Sequence, residues 1–110
     1  MNVIRNPENG TNFIDYEVTA NVISFAGGEL AVNLAAKERD NRVILDVCED
    51  NTGGLVLTPA GSRLYMAQIE IPARQYVETA VEIDGESAIG SEPVAFNIDN
   101  VTLTLYEREV

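Results

Sequence analysis

The sequence predicts an all-β fold, a single antiparallel β-sandwich or small barrel. Three observations predict it. Apolar residues recur at every second position through several short stretches, the period of a strand with one buried face. Turn formers punctuate those stretches: Gly27-Gly28, Asp40-Asn41, Gly53-Gly54, Pro59-Ala60-Gly61, Asp84-Gly85 and Asp99-Asn100. At 110 residues and 45% hydrophobic content, the chain can bury a core without disulfides or a metal. One β domain is therefore expected over residues 1–110.

The first twelve residues read as a loose segment, because Asn6-Pro7-Glu8-Asn9-Gly10-Thr11-Asn12 is a run of turn formers. Phe13 to Phe25 is strand-like, with Tyr16, Val18, Ala20 and Val22 on one alternating face. Ile14, Ile23 and Phe25 break that alternation, which suggests a bulge or burial of both faces. Gly27-Gly28 supplies the positive φ of a tight hairpin, and the returning strand puts Leu30, Val32 and Leu34 inward. Leu30 to Arg39 is also rich in helix formers. Strand is favoured because the double glycine is the stronger signal, and at most one short helix is expected, over residues 30–39.

Val43, Ile44 and Leu45 are consecutive, which reads as a central strand covered on both faces. Leu55 to Thr58 is a short strand between turns. The stretch Leu64 to Ile83 then alternates over twenty residues, with Pro72 in its middle. Unbroken, it would span about 65 Å. A globule of this size has a radius of gyration near 13 Å. The chain must bend at Pro72, where no ladder donor exists. Leu64 to Ile71 is then core sheet, and Arg74 to Ile83 is the limb of a hairpin turning at Asp84-Gly85. That hairpin, over about residues 74–90, is expected to project as an arm. Ser87 to Pro93 reads as a loop or a ragged returning strand. Val94, Phe96 and Ile98 alternate, and Val101, Leu103 and Leu105 alternate again after the Asp99-Asn100 turn.

The charge balance is 7 basic against 18 acidic residues, a net −11, with no histidine. Binding a phosphate backbone needs clustered Lys and Arg, so neither nucleic acid nor an anionic membrane surface is an expected partner. Without histidine there is no Ser-His-Asp or Cys-His pair and no His-based metal site. No phosphate-binding glycine loop occurs. A carboxylate pair acting on a sugar is conceivable chemistry. The acids lie mainly in turns and on polar faces, however, so no enzyme and no cofactor is expected. Cys48 sits in an apolar run and reads as a small buried hydrophobe. Glu49-Asp50-Asn51-Thr52 and Asp99-Asn100 offer clustered loop oxygens of the kind calcium takes, without the spacing of a calcium loop. No apolar run reaches 18 residues, and no secretory signal opens the chain, so a cytoplasmic protein or one incorporated in a particle is expected.

Two functions remain. The first is a structural or assembly subunit of the kind found in phage particles, homo-oligomeric or joined to other subunits. Its candidate assembly surface is Tyr76, Val77, Thr79, Val81 and Ile83 on the hairpin limb. The second is a β-sandwich module that binds carbohydrate, peptide or calcium. It requires a concave patch that holds Tyr and carboxylates together.

Overall fold

The computed structural model describes residues 1–49, 54–57 and 64–107, with Leu64, Tyr65 and Ile83 described in backbone only. The chain forms ten strands, two 3-10 turns and one turn of α-helix among these residues. The strands are β1 (Asn2–Asn6), β2 (Tyr16–Thr19), β3 (Val22–Phe25), β4 (Leu30–Asn33), β5 (Val43–Glu49), β6 (Leu55–Val56), β7 (Leu64–Ile71), β8 (Tyr76–Ile83), β9 (Glu86–Pro93) and β10 (Thr102–Tyr106). Helix α1 spans Leu34–Lys37.

The strands make three sheets: β1-β10-β7-β5-β6, β2-β3-β4 and β8-β9. The all-β class holds, and no barrel closes. The first two sheets share one core. Ile14, Ile23, Phe25, Val32 and Leu34 meet Val47, Ala67, Ile69, Ile71, Val101, Leu103 and Leu105. On β7 the buried Ala67, Ile69 and Ile71 alternate with half-exposed Gln68 and Glu70, as one-sided burial requires. The bulge lies at Met66, since Val47 pairs Ala67 while Cys48 pairs Tyr65. Cys48 is fully buried and free, as an apolar filler.

Four elements differ from expectation: residues 2–6, Phe13 to Phe25, strand β5 and Val94 to Ile98. Residues 2–6 are not loose: β1 pairs β10 in parallel register, from Asn2↔Thr102 to Asn6↔Tyr106. The following loop is tied down where Thr11 donates its N–H to Glu107 Oε2 at 2.8 Å. Phe13 to Phe25 is not one strand, because the chain turns at Ala20-Asn21 with Ala20 at φ 52. Across that two-residue turn Val18 faces Ile23 and Tyr16 faces Phe25. Even-numbered residues before the turn thus share a face with odd-numbered ones after it. The expected face of Tyr16, Val18, Ala20 and Val22 does not exist. Ile23 and Phe25, which broke the alternation, are fully buried.

Residues 30–39 are strand and then helix. Val32 and Leu34 are buried, and the Asn33 side chain caps α1 by accepting from Ala36 N at 3.3 Å. Strand β5 is not covered on both faces: Ile44 is 45% exposed, beside Glu70. Finally, Val94 to Asn97 forms no strand, and Ile98–Asn100 is a 3-10 turn. Of the expected strand Leu55 to Thr58, β6 supplies Leu55–Val56, and Thr58 lies outside the described residues.

The predicted bend at Pro72 is present, and beyond it the chain leaves the body. The radius of gyration is 18.1 Å, against about 13 Å for a compact chain of this length. The long dimension is 67 Å. Because β7 centres the sheet and β8–β9 stands outside it, the two respond differently to truncation. Ile69→Ala should cost about 2–5 kcal/mol in urea unfolding monitored by far-UV circular dichroism. Val77→Ala on the arm should cost under about 0.5 kcal/mol in the same measurement on the monomer.

Candidate assembly surface

The arm is an antiparallel hairpin in full register from Tyr76↔Pro93 to Ile83↔Glu86. Asp84 at φ 54 and Gly85 at φ 80 make its two-residue turn, both left-handed as a type I′ turn demands. Ser87 to Pro93 is therefore a strand and not a loop. Of the two expected readings the returning strand holds, and counting outward from Asp84-Gly85 pairs Ala80 with Ile89.

Pairing sorts the side chains onto two faces. Val77, Thr79 and Val81 share one with Glu92, Gly90 and Ala88, and the backbone register puts Ile83 and Glu86 at its end. Tyr76, Glu78, Ala80 and Glu82 share the other with Pro93, Ser91, Ile89 and Ser87. Four of the five expected surface residues thus fall on one face, and Tyr76 falls on the opposite one. No described side chain of the arm is fully buried. Val77 is 50% exposed, Ile89 is 78% exposed, and Tyr76, Val81 and Val94 are also open. Sequence reasoning missed Ile89 and Val94.

Along the apolar face Thr79 lies across from Gly90. A Cβ on Gly90 would come within 3.3 Å of Val81 Cγ1 and 3.7 Å of Thr79 Oγ1, so the glycine leaves room for both side chains. Thr79 Oγ1 is covered there and has no hydrogen-bond partner among the described residues.

The arm is held at its root. Arg74 donates its backbone N–H to Arg39 O at 2.8 Å. Its guanidinium reaches Glu38 Oε1 at 3.4 Å, Asp40 Oδ1 at 3.2 Å and Glu38 O at 3.2 Å. The Tyr76 hydroxyl donates to the same Asp40 Oδ1 at 2.6 Å. Tyr76 first, and then Glu38 and Asp40, raise the guanidinium's pKa above its ordinary value, so this charge does not switch with pH. Val94 N donates to Gln75 O at 2.7 Å and closes the other limb. Tyr76 is thus a root fastener as well as a surface residue. The pit of about 20 Å³ between Ile71, Pro72, Gln75 and Phe96 has room for one water and nothing larger.

A shallow concavity of about 200 Å³ brings Tyr16 together with Asp15, Glu17 and Ser24. Asp99 is exposed and lies 3.7 Å from the Met1 amine. Of the other loop, Asp50, Asn51 and Thr52 lie outside the described residues. No group of three or more metal-ligating side chains occurs among the described residues. Among them, no helix is long and apolar enough to cross a membrane.

No family model, curated protein or solved structure matches this chain.

Two outcomes follow from this geometry. Thr79→Val removes the unpartnered hydroxyl at constant shape, and should leave the melting temperature unchanged or raise it. Arg74→Ala should lower the heteronuclear NOE of the β8–β9 amides while the body amides keep theirs.

Proposed function

We propose that this chain is a non-enzymatic assembly module, a small structural subunit of a particle, such as phages build, that self-associates through the β8–β9 arm. One observation carries the reading. A hairpin from Tyr76 to Pro93 stands clear of its own body, and an isolated two-stranded hairpin is marginal in water. Another surface must cover it for the arm to be worth keeping in one register. Of the eight exposed large hydrophobics among the described residues, Tyr76, Val77, Val81, Ile89 and Val94 lie on it or at its base. Apolar side chains gathered in one place are how contact surfaces differ from ordinary exteriors. Net charge of −11 keeps free subunits soluble and disfavours nucleic acid or anionic lipid as the partner.

Light scattering after size exclusion tests the reading. Mass should rise with protein concentration, and Val77→Ser/Val81→Ser should return the chain to monomer. A strict monomer at every concentration would overturn it. Added salt should favour assembly, because the Debye length falls from about 10 Å at 0.1 M to about 3 Å at 1 M and repulsion between copies falls with it.

A second reading, a ligand-binding module, is favoured by the concavity at Asp15, Tyr16, Glu17 and Ser24. Its volume of about 200 Å³ lies below the roughly 300–1,000 Å³ of ordinary ligand pockets. Melting curves with calcium and with short oligosaccharides separate the two readings. A rise in melting temperature that Tyr16→Ala abolishes would favour binding; flat curves would leave assembly.

A further inference from the structure

The arm carries Glu78, Glu82, Asp84, Glu86 and Glu92 and no Lys or Arg from Tyr76 to Pro93. If two arms met face to face, four carboxylates would be brought together with no cation between them, Glu86 and Glu92 of each arm on the Val77 face or Glu78 and Glu82 of each on the other. Like charges set directly opposite one another cost several kcal/mol at an interface, so the arm's charge selects a different seat.

The body offers one. Strand β1 ends the five-stranded sheet, so one edge of it is bonded to no other strand among the described residues. An open edge of this kind is a template for a further strand. Ile4 on that strand is 51% exposed, the most exposed large hydrophobic of the body among the described residues. Arg5 beside it is exposed and makes no hydrogen bond or ion pair with described residues, whereas Arg42 is paired with Glu70 and Arg74 with Glu38 and Asp40. Two open concavities adjoin Arg5, one between Val3, Ile4 and Glu8, the other against Phe13, Ile14 and Tyr16.

Position adds direction. The arm leaves the sheet after Ile71, while Arg5 lies in the row of Leu105 and Ala67, four residues back along β7. The root contacts of Arg74 and Tyr76 hold the arm pointing away, so it does not fold back onto its own β1.

Resting on the assembly reading above, we propose that the seat of the arm is the free β1 edge of a second copy. The β8–β9 hairpin of one copy extends the five-stranded sheet of the next, with its apolar side chains against Ile4 and its carboxylates around Arg5. The contact is heterologous. Each copy gives an arm at one end and receives one at the other, so copies add into a ring or a filament, not a closed two-fold dimer.

Mixing two variants tests this. Val77→Ser/Val81→Ser disables the arm and keeps the β1 edge; Ile4→Asp/Arg5→Glu disables the edge and keeps the arm. Each should be monomeric alone, with a melting curve showing that it is folded. Mixed in equal amounts, they should form a 1:1 dimer of twice the 12.0 kDa chain mass that grows no further. Should Ile4→Asp disturb β1, Arg5→Glu alone serves as the edge variant. If the edge variant assembles as well as the wild type, the β1 seat is wrong while the arm reading stands. If both variants are monomeric and their mixture stays so, the contact is not heterologous and the inference falls. A monomeric wild type would overturn both readings.

Discussion

Strand β7 is hydrogen-bonded on both sides, to β5 and to β10, and the register of that one strand governs the rest. Ala67, Ile69 and Ile71 face the core, opposite Val47, Leu45 and Val43 on one side and, for the first two, Leu105 and Leu103 on the other. A slip of one residue would turn all of them outward and bring Gln68 and Glu70 in, so the register is steeply selected. The outer face carries two polar pairs, one directly across the strands and one diagonal. Gln68 Nε2 donates to Asp46 Oδ1 at 3.1 Å, and Arg42 reaches Glu70 at 3.2 Å. Because β7 is anchored in this way, Pro72 falls at the sheet boundary, and the direction in which the chain departs is set before the hairpin begins.

The features legible in the sequence were those that depend on local backbone chemistry. Gly27-Gly28 and Asp84-Gly85 admit positive φ and Pro72 fixes φ, local preferences that need no knowledge of what lies across the fold, and all three sit where turns or bends occur. Val101, Leu103 and Leu105 were legible because one-sided burial writes itself at period two. The turn at Ala20-Asn21 was hidden, since an alanine at φ 52 is held there by the pairing of Val18 with Ile23 and not by its own preference. Strand β1 was hidden for a different reason. Its Val3 and Ile4 are too few to announce a strand, and their order comes from β10, a hundred positions away. Of the candidate surface, the limb was readable in Val77, Thr79 and Val81. Its returning partner, with Ser87, Gly90 and Ser91 around a lone Ile89, read equally as a loop or a ragged strand, because small polar residues resemble a loop until the register is counted.

The arm combines two opposed properties. Its apolar residues favour contact, and its five carboxylates penalise contact with anything acidic. Exposed strand edges are commonly blunted by charge to stop indiscriminate pairing. Glu78 and Glu82 on the face opposite Val77 and Val81 fit that role. The balance favours one kind of surface, apolar with a cation beside it. It also disfavours the stacking of identical hairpins that leads to aggregation.

The parallel pairing of β1 with β10 has a consequence for synthesis. Translation at about 5–20 residues per second puts roughly 5–20 s between the emergence of Asn2 and that of its partner Thr102. During that interval β1 has nothing to pair with. The β8–β9 hairpin, closed by a two-residue turn, needs no distant segment and forms within microseconds of leaving the ribosome. The hairpin thus samples its own pairing before the five-stranded sheet is complete, while β1 still waits for β10.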